Sequence, residues 1–286
     1  MATEAIAPAK INLCLHLTGL RDDGYHLLES LVVFTDFGDV IRVEAADRLQ
    51  LTVTGPFANG VPTDDRNLVM KAARLLQRRH GVTQGAQISL HKELPHGGGI
   101  GGGSSDAAVA LRLLAALWGV PVPGNAAAAQ LGADVPVCLH APRPVIMRGI
   151  GEDIAPVALP QSWLVLVNAG AHVDTARAFA KYDQQHDFSP DGIDPLPENS
   201  CLDDFETWLL GQRNDFTKVI RQENMAPVVG EVLDMLWADP ACRVAEMSGS
   251  GSTCWGMFAS ETEAAASAER LQRQHPDWWI RVSAIR

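Results

Sequence analysis

The clearest chemistry in the chain lies in a glycine-rich segment, Leu94–Ala108, which reads LPHGGGIGGGSSDAA and holds six of the 25 glycines. Glycine has no Cβ, so successive backbone N–H groups can point into one concavity and let an anion approach closely. The segment opens a helix whose first N–H groups are unpaired and whose dipole is positive there, which predicts a phosphate-binding loop. The alternative is a flexible linker, but linkers do not join an alternating strand to an alanine-rich helix.

Three familiar nucleotide-binding motifs do not describe this loop. A Walker A motif ends in Gly-Lys-Ser/Thr, and no lysine occurs between Lys92 and Lys181. The spacing Gly97-x-Gly99-x-x-Gly102 matches the dinucleotide-binding pattern, but Val120–Gly124 stands where that pattern needs an acidic residue. The tripeptide Asp36-Phe-Gly38 lacks the companion motifs of protein kinases, so we predict a turn between two strands there.

A polar strand face near the N-terminus is the second candidate for chemistry. Every second residue from Ile11 to Leu17 is aliphatic, which predicts one strand with an apolar face on the core. Lys10 and Asn12 share the opposite face, so a cation and an amide lie side by side. The composition of Arg21–Gly24 predicts a turn, and Tyr25 and His26 follow it directly.

The elements that must position these residues follow from periodicity and from helix-end signals. The first part of the chain predicts strands at 31–34, 40–54 and 87–91 and helices at 67–80 and 104–118. A short helix is predicted to be capped by Asn125 and to end at Gly132. The second part predicts strands at 163–167, 243–247, 253–258 and 279–283, helices at 174–181, within 201–237 and at 261–274, and a loop at 182–200. Without strict alternation of strand and helix, the pattern indicates the α+β class.

Length and composition limit the classes of protein to which the chain can belong. At 286 residues two domains are expected, and we place the boundary in the Gly-, Pro- and acid-rich stretch 148–162, giving domains 1–155 and 156–286. The net charge of −11 argues against nucleic-acid or anionic-membrane partners. No apolar run is long enough to span a membrane, no export signal is visible, and the five cysteines are scattered, so we expect a cytoplasmic protein without a structural metal.

Three segments in this order resemble the GHMP small-molecule kinase superfamily: Pro8–Leu13, the glycine loop and Met247–Thr253. The loop is similar to that family's Pro-x-x-x-Gly-Leu-Gly-x-x-Ser-Ser motif, with Ile100 in place of the commoner leucine. The resemblance implies an α+β, two-domain GHMP kinase fold. Its N-terminal domain would be like ribosomal protein S5 domain 2 and its C-terminal domain ferredoxin-like.

Two more segments, Asp23–His26 and Leu131–Pro136, narrow the resemblance to members whose substrate is an alcohol carrying a cytidine diphosphate group. The implied function is ATP-dependent phosphorylation of a 2-hydroxyl in the non-mevalonate isoprenoid precursor pathway. ATP is the implied phosphoryl donor, and Mg²⁺ is expected with it. The implied partner is the small-molecule substrate, with no nucleic acid and no membrane. Oligomeric state stays open.

The resemblance also implies roles for single residues. Asp134 would accept the proton of the 2-hydroxyl, and Lys10 would neutralise charge at the transferring phosphoryl group. Four residues would bind the substrate, with a tyrosine ring stacked on cytosine: Asn12, Tyr25, His26 and Thr175. Thirteen residues would bind ATP: Asn67, Leu68, Pro95, His96, Gly97, Gly98, Gly99, Ile100, Gly101, Gly102, Gly103, Ser104 and Ser105. No acidic residue is identified as a Mg²⁺ ligand, and Ser105 is a candidate contact.

Two alternatives stay open at this stage. One is a GHMP kinase for another alcohol, such as homoserine or a mevalonate derivative, which the Gly-Tyr-His segment argues against. The other is a catalytically silent nucleotide-binding or regulatory protein, which the combination of Lys10 and Asp134 argues against. The segment between Trp118 and Gly132 is shorter than in the family, so the helix before Asp134 is expected to be truncated.

Overall fold

The computed structural model describes residues 2–185, 188, 190–198 and 200–285, which form eleven strands and nine helices. The strands are β1 (Thr3–Asn12), β2 (His16–Leu20), β3 (His26–Ala46), β4 (Gln50–Thr54), β5 (Gly85–His91), β6 (Val145–Gly149), β7 (Asp153–Pro156), β8 (Ser162–Asn168), β9 (Val244–Met247), β10 (Cys254–Phe258) and β11 (Trp279–Ile285). The helices are α1 (Leu68–His80), α2 (Gly102–Trp118), α3 (Asn125–Ala128), α4 (Val135–Cys138), α5 (Thr175–Gln185), α6 (Leu202–Leu210), α7 (Asp215–Gln222), α8 (Pro227–Trp237) and α9 (Glu261–Gln274).

Local sequence signals determine the ends of the helices that flank the glycine loop. Asn67 caps α1, because its side chain accepts a hydrogen bond from an amide of the first turn at 2.9 Å. Gly81 ends the same helix in the left-handed conformation at φ 66°. Helix α2 begins at Gly102, two residues earlier than predicted, and Gly119 ends it with φ 65°. The predictions of both helices are confirmed.

The chain packs as two compact units. The first unit contains residues 2–10, 37–96 and 101–141, and the second contains 11–36, 97–100 and the described part of 142–285. This grouping by contact is discontinuous along the chain. The domain boundary near residue 155 stays a prediction.

In the first unit, strand β5 lies between β4, which runs parallel to it, and the antiparallel Val40–Ala46 part of β3. Helix α2 packs against α1 and also contacts the short α4. Ten of the 17 residues of α2 are buried, so the helix is held firmly in the unit. These contacts hold the glycine loop, which leads into α2, and Asp134, which directly precedes α4.

In the second unit, a four-stranded antiparallel sheet has the order β11-β8-β10-β9. Its core includes Trp255, fully buried, whose indole Nε1 donates a hydrogen bond to the Asn12 carbonyl at 3.1 Å. Strands β2 and β6 pair with the first part of β3, and β7 pairs with β6. Helix α5 packs against α7 and carries several candidate site residues.

The prediction of one strand over Lys10–Leu17 is wrong, because the chain forms two separate strands there. Strand β1 starts at Thr3 and ends at Asn12, and β2 begins only at His16. Every residue from Ala7 to Leu17 is buried, so no face of this segment is solvated. Burial of the Lys10 ammonium and the Asn12 amide N–H₂ is favourable because they donate hydrogen bonds to Asp134 and Ser30.

The predicted turn at Asp36–Gly38 is also wrong, because β3 continues through it from His26 to Ala46. Gly38 serves a close approach of backbone: a Cβ there would collide with the Ala7 carbonyl. Further along, Asn125 is the first residue of α3 rather than its cap, which is Gly124, and α3 ends at Ala128. In the described part of the chain, no helix combines the length and apolar composition needed to cross a bilayer.

Candidate active site

Lys10 and Asp134 meet in the first unit although 124 residues separate them. The Lys10 ammonium Nζ lies 2.9 Å from Asp134 Oδ2, with the lysine buried and 37% of the aspartate side chain exposed. Asp134 is the N-cap of α4, but its side chain makes no cap hydrogen bond. The carboxylate therefore pairs with the lysine and still presents an oxygen outward, as a proton acceptor requires.

The glycine loop adopts backbone angles that suit glycine. Gly97, Gly99 and Gly101 have φ of 64°, 73° and 61°, in the left-handed region that other residues rarely enter. Gly101 is the N-cap of α2 and has no side chain to cap it. No side chain therefore caps the backbone N–H groups in the first turn of α2. These N–H groups and the positive end of the helix dipole suit a phosphate group.

Tight packing surrounds the loop. A Cβ on Gly101 would lie 3.1 Å from Cβ of Lys10, so the loop packs directly on the stem of that lysine in the first unit. In the second unit, Ser248 Oγ donates a hydrogen bond to the Gly99 carbonyl at 3.0 Å, and Thr253 N donates to the Gly98 carbonyl at 3.0 Å. These bonds hold the backbone of residues 98 and 99 in its conformation.

A cavity of about 390 Å³ lies in the first unit beside the start of α2, within the size range of small-ligand sites. Four of its lining residues were predicted to bind ATP: Asn67, Leu68, His96 and Gly103. The Asn67 side chain is already engaged, since it caps α1 and donates to the Pro62 carbonyl at 2.8 Å. It shapes the wall of the cavity. Residues 59–62 also line the cavity and were missed by the sequence analysis.

Three charged side chains of the first unit, Asp39, Lys92 and Asp106, form a buried group that the sequence analysis also missed. Lys92 and Asp106 line the cavity. Lys92 Nζ pairs with Asp106 Oδ2 at 2.8 Å and with Asp39 Oδ2. The other Asp39 oxygen accepts hydrogen bonds from the amides of Glu93 and Leu94 at 2.6 and 2.9 Å. Asp106 Oδ1 has no partner among the described residues. Burial raises the pKa of Asp106 to about 8, opposed by the charge of Lys92 and reinforced by that of Asp39.

This shift predicts how stability depends on pH. The pKa of Asp106 in the folded state lies above its ordinary value of 3.8, so the folded protein binds the extra proton. The stability that this proton contributes is present below about pH 4 and is lost as the pH rises to about 8. Asp106→Asn mimics the protonated form and does not lose this contribution. The free energy of unfolding of the variant minus that of the wild type should therefore increase between about pH 5 and about pH 8.

Urea unfolding of both proteins at the two pH values measures this difference. Asp47→Asn, which neutralises an exposed carboxylate in the same unit, is the control and should show no such gain. A constant difference between wild type and Asp106→Asn would mean that Asp106 is ionised in the folded protein throughout this range.

Two of the predicted substrate residues of the second unit lie at helix α5: Thr175 begins it, and His26 contacts it. Tyr25 is 60% exposed at the end of a turn, directly before His26, the first residue of β3. His26 Nε2 donates a hydrogen bond to Asp183 Oδ1 at 2.6 Å, and its ring lies 4.3 Å from the ring of Phe179 between centroids. Thr175 begins the same helix, so Thr175, Phe179 and Asp183 recur at spacings of four on one helix face.

Asn12 and Thr175 are each held by a serine of the 248–252 turn. The Asn12 amide N–H donates to Ser248 Oγ at 3.1 Å, and Thr175 Oγ1 lies 2.7 Å from Ser250 Oγ. The Asn12 side chain is fully buried and donates to Ser30 Oγ at 2.7 Å. Its acceptor, Oδ1, has no partner among the described residues. Such an orphaned buried acceptor fits a ligand donor.

Phe179 and Asp183 were missed by the sequence analysis. The spacing of four from Thr175 marks a shared helix face, but it does not tell which face meets His26, more than 150 residues away in sequence. Of the three buried charges, Asp39 and Lys92 stand in no motif, whereas Asp106 stands in the glycine-rich segment at the start of α2. Their pairing arises from long-range packing.

Two family models match the chain: GHMP kinases N terminal domain over residues 67–141 and GHMP kinases C terminal over residues 198–277. A protein of Cereibacter sphaeroides (strain ATCC 17025 / ATH 2.4.3) is 49% identical over 280 residues, covering 97% of each chain. A protein of Jannaschia sp. (strain CCS1) is 51% identical, covering 98% of this chain and 96% of its own. The chain belongs to the GHMP kinase family. Both relatives are named 4-diphosphocytidyl-2-C-methyl-D-erythritol kinase.

Solved GHMP kinases share the fold. The crystal structure of 4-(cytidine 5'-diphospho)-2C-methyl-D-erythritol kinase matches with a TM-score of 0.78 and 34% identity, covering 99% of this chain and 98% of that one. L. major mevalonate kinase in complex with R-mevalonate matches with a TM-score of 0.73 and 14% identity, covering 99% and 96%. At 14% identity the likeness shows the fold alone. The predicted α+β GHMP kinase fold is confirmed.

Proposed function

We propose that this GHMP kinase transfers the γ-phosphoryl group of ATP to the 2-hydroxyl of 4-diphosphocytidyl-2-C-methyl-D-erythritol. The products are the 2-phosphate and ADP, in the non-mevalonate isoprenoid precursor pathway. Relatives named for this substrate, 49–51% identical over nearly the whole chain, support the proposal. The observation that carries it is the Lys10–Asp134 pair at 2.9 Å, which a silent nucleotide-binding protein would not need.

In the proposed mechanism Asp134 acts as the general base through Oδ1, the oxygen that Lys10 does not engage. It accepts the proton of the 2-hydroxyl, whose oxygen forms a bond to the γ-phosphorus as the bond to the β–γ bridging oxygen breaks. The electron pair of that bond leaves with ADP. Lys10 stabilises negative charge on the carboxylate and on the transferring group, since catalysis of phosphoryl transfer is mainly positioning and electrostatics.

The nucleotide-binding part of the proposal uses the first unit's cavity for the nucleoside of ATP and the amides at the start of α2 for its phosphates. Ser105 Oγ is buried and has no partner among the described residues, so it fits a Mg²⁺ ion or a phosphate oxygen. No group of three or more His, Cys, Asp or Glu residues suited to a metal exists in the described ranges. When bound, Mg²⁺ would neutralise phosphate charge.

The substrate-binding part uses Asn12, Tyr25, His26 and Thr175 in the second unit. The Tyr25 ring is exposed for stacking on cytosine, and His26 offers a ring nitrogen to the polar edge of the base. All five cysteines are free thiols, which supports action in the cytoplasm. We propose no nucleic-acid or membrane partner.

An assay of ATP consumption against a panel of alcohols tests the proposed function. The panel contains the cytidine diphospho-alcohol, mevalonate and homoserine. The proposal expects kcat/KM to be highest for the cytidine compound by orders of magnitude. Equal or better turnover of mevalonate or homoserine would contradict it, and no turnover of any alcohol would favour a silent nucleotide-binding protein.

Tyr25→Ala tests the cytosine contact. Stacking of a base on an aromatic ring is worth about 1–3 kcal/mol. The variant should therefore raise KM for the cytidine substrate by roughly 5- to 150-fold, since each 1.4 kcal/mol is tenfold. The KM for ATP should change little. Steady-state kinetics with each substrate varied in turn measure both constants.

Tyr25→Phe serves as the matched variant because it keeps the ring and removes only the hydroxyl. It should retain most of the affinity for the cytidine substrate. Equal damage to both substrates in Tyr25→Ala, or damage to neither, would contradict the stacking role and favour a GHMP kinase for another alcohol.

A further inference from the structure

The hydrogen bond between His26 and Asp183 decides which ring nitrogen of the histidine is free. An ionised carboxylate only accepts hydrogen bonds, so the 2.6 Å contact with Asp183 Oδ1 requires a hydrogen on His26 Nε2. In the neutral imidazole the other nitrogen, Nδ1, then carries a lone pair and acts as an acceptor. Among the described residues, the His26 ring makes its hydrogen bond at Nε2 and none at Nδ1.

The surroundings hold this arrangement in place. Only 13% of the His26 side chain is exposed, against 39% for Asp183. The ring of Phe179, one helical turn before Asp183 on α5, lies 4.3 Å from the imidazole at a tilt of 31°. Phe179 is itself packed edge-on against Phe216 of α7, with the centroids 4.8 Å apart. The imidazole is therefore fixed by a packed ring on one side and a carboxylate at Nε2.

We propose that Asp183 is a positioning residue that makes the site specific for a 4-aminopyrimidine base. With Asp183 in place and the imidazole neutral, His26 Nδ1 is an acceptor. An acceptor binds the 4-amino group of cytosine and repels the 4-carbonyl oxygen of uracil. The inference rests on the proposed cytidine diphosphate substrate and adds the group that selects cytosine over uracil.

Asp183→Asn tests the role with little change in shape. An asparagine in place of an orienting aspartate preserves geometry but offers an N–H₂ donor to Nε2, which permits the tautomer with hydrogen on Nδ1. That tautomer donates to a carbonyl and loses the cytosine contact. The ratio of kcat/KM for the cytidine substrate over its uridine diphosphate analogue should fall at least about tenfold, the equivalent of about 1.4 kcal/mol. The change should lie in KM, with kcat at saturation nearly unchanged.

Two further measurements separate positioning from a merely structural effect. The ¹⁵N chemical shifts of the His26 ring should report Nε2–H in the wild type and a gain of Nδ1–H in Asp183→Asn. Asp183→Glu, which retains a carboxylate, should recover part of the base selectivity. Glu223→Gln neutralises an acid that pairs with Lys181 of α5 at 2.8 Å and should leave the selectivity unchanged.

The outcomes distinguish this inference from the proposed function. If the wild type does not phosphorylate the cytidine substrate, the proposed function fails. If the wild type does so but Asp183→Asn, with circular dichroism and KM for ATP unchanged, keeps the same preference for cytidine, the role of Asp183 is overturned. A wild-type spectrum with hydrogen on Nδ1 overturns it as well. If Asp183→Asn does not fold, Asp183→Glu and the wild-type spectrum decide.

Discussion

Asp134→Asn should lower kcat by roughly 10²–10⁴, the usual worth of a positioned acid–base group. The amide oxygen of asparagine still accepts a hydrogen bond from Lys10 Nζ, so the contact at 2.9 Å and the local fold should persist. An amide cannot take up the proton of the 2-hydroxyl. Loss of kcat with an unchanged dissociation constant for ATP therefore separates loss of the base from loss of binding.

Kinetics at saturating substrate and calorimetric titration with ATP measure the two quantities. Asp47→Asn removes an exposed carboxylate of the same unit and should keep wild-type kcat. A double variant with Lys10→Met should lose little more than the more damaging of the two single changes, because residues acting as a unit are not additive. Near-normal turnover by well-folded Asp134→Asn would contradict the assignment of the base.

Gly101→Val should damage both ATP binding and turnover. A β-branched residue in the left-handed conformation, at φ 61°, costs at least about 1–2 kcal/mol of strain. The new side chain would also press on Lys10, because a Cβ at position 101 would lie only 3.1 Å from the Cβ of that lysine. We expect the KM for ATP to rise at least about tenfold, an effect of about 1.4 kcal/mol, and kcat to fall because the lysine is displaced.

Gly119→Val is the matched control at the other end of α2. Gly119 has a similar φ of 65°, and no atom lies within 4 Å of a Cβ there. The control therefore carries the backbone strain without pressure on the site, so it should lower stability and leave the KM for ATP unchanged. Equal kinetic effects of the two variants would mean that the loop does not hold the ATP phosphates.

Features encoded by neighbouring residues could be predicted from the sequence. The cap at Asn67 and the left-handed glycine at the end of α1 depend on atoms within one turn, so the spacing of residue types reveals them. The glycine loop is equally local, because the absence of Cβ permits the positive φ values of Gly97, Gly99 and Gly101. The family resemblance could also be recognised from the sequence, because each of its motifs is a contiguous run of residues.

The course of the strands depended on contacts distant in sequence. Asp36–Gly38 has the composition of a turn, yet β3 runs straight through it. The glycine is there because the Ala7 backbone passes too close for a side chain. Likewise the sequence places Lys10 and Asn12 on one strand face, but it does not show the partners that make their burial favourable, an aspartate 124 residues away and a serine 18 residues away.

The residues of the candidate site fall into the same two groups, those that local sequence reveals and those that only folding brings together. Lys10, Asp134 and the glycine loop stand in recognisable motifs, so residue type and spacing along the chain are enough to predict them as site residues. The charges around Lys92 and the carboxylate that orients His26 become neighbours only when the chain folds. A salt bridge or a tautomer depends on distances of about 3 Å between atoms, and spacing along the chain does not encode such distances between elements distant in sequence.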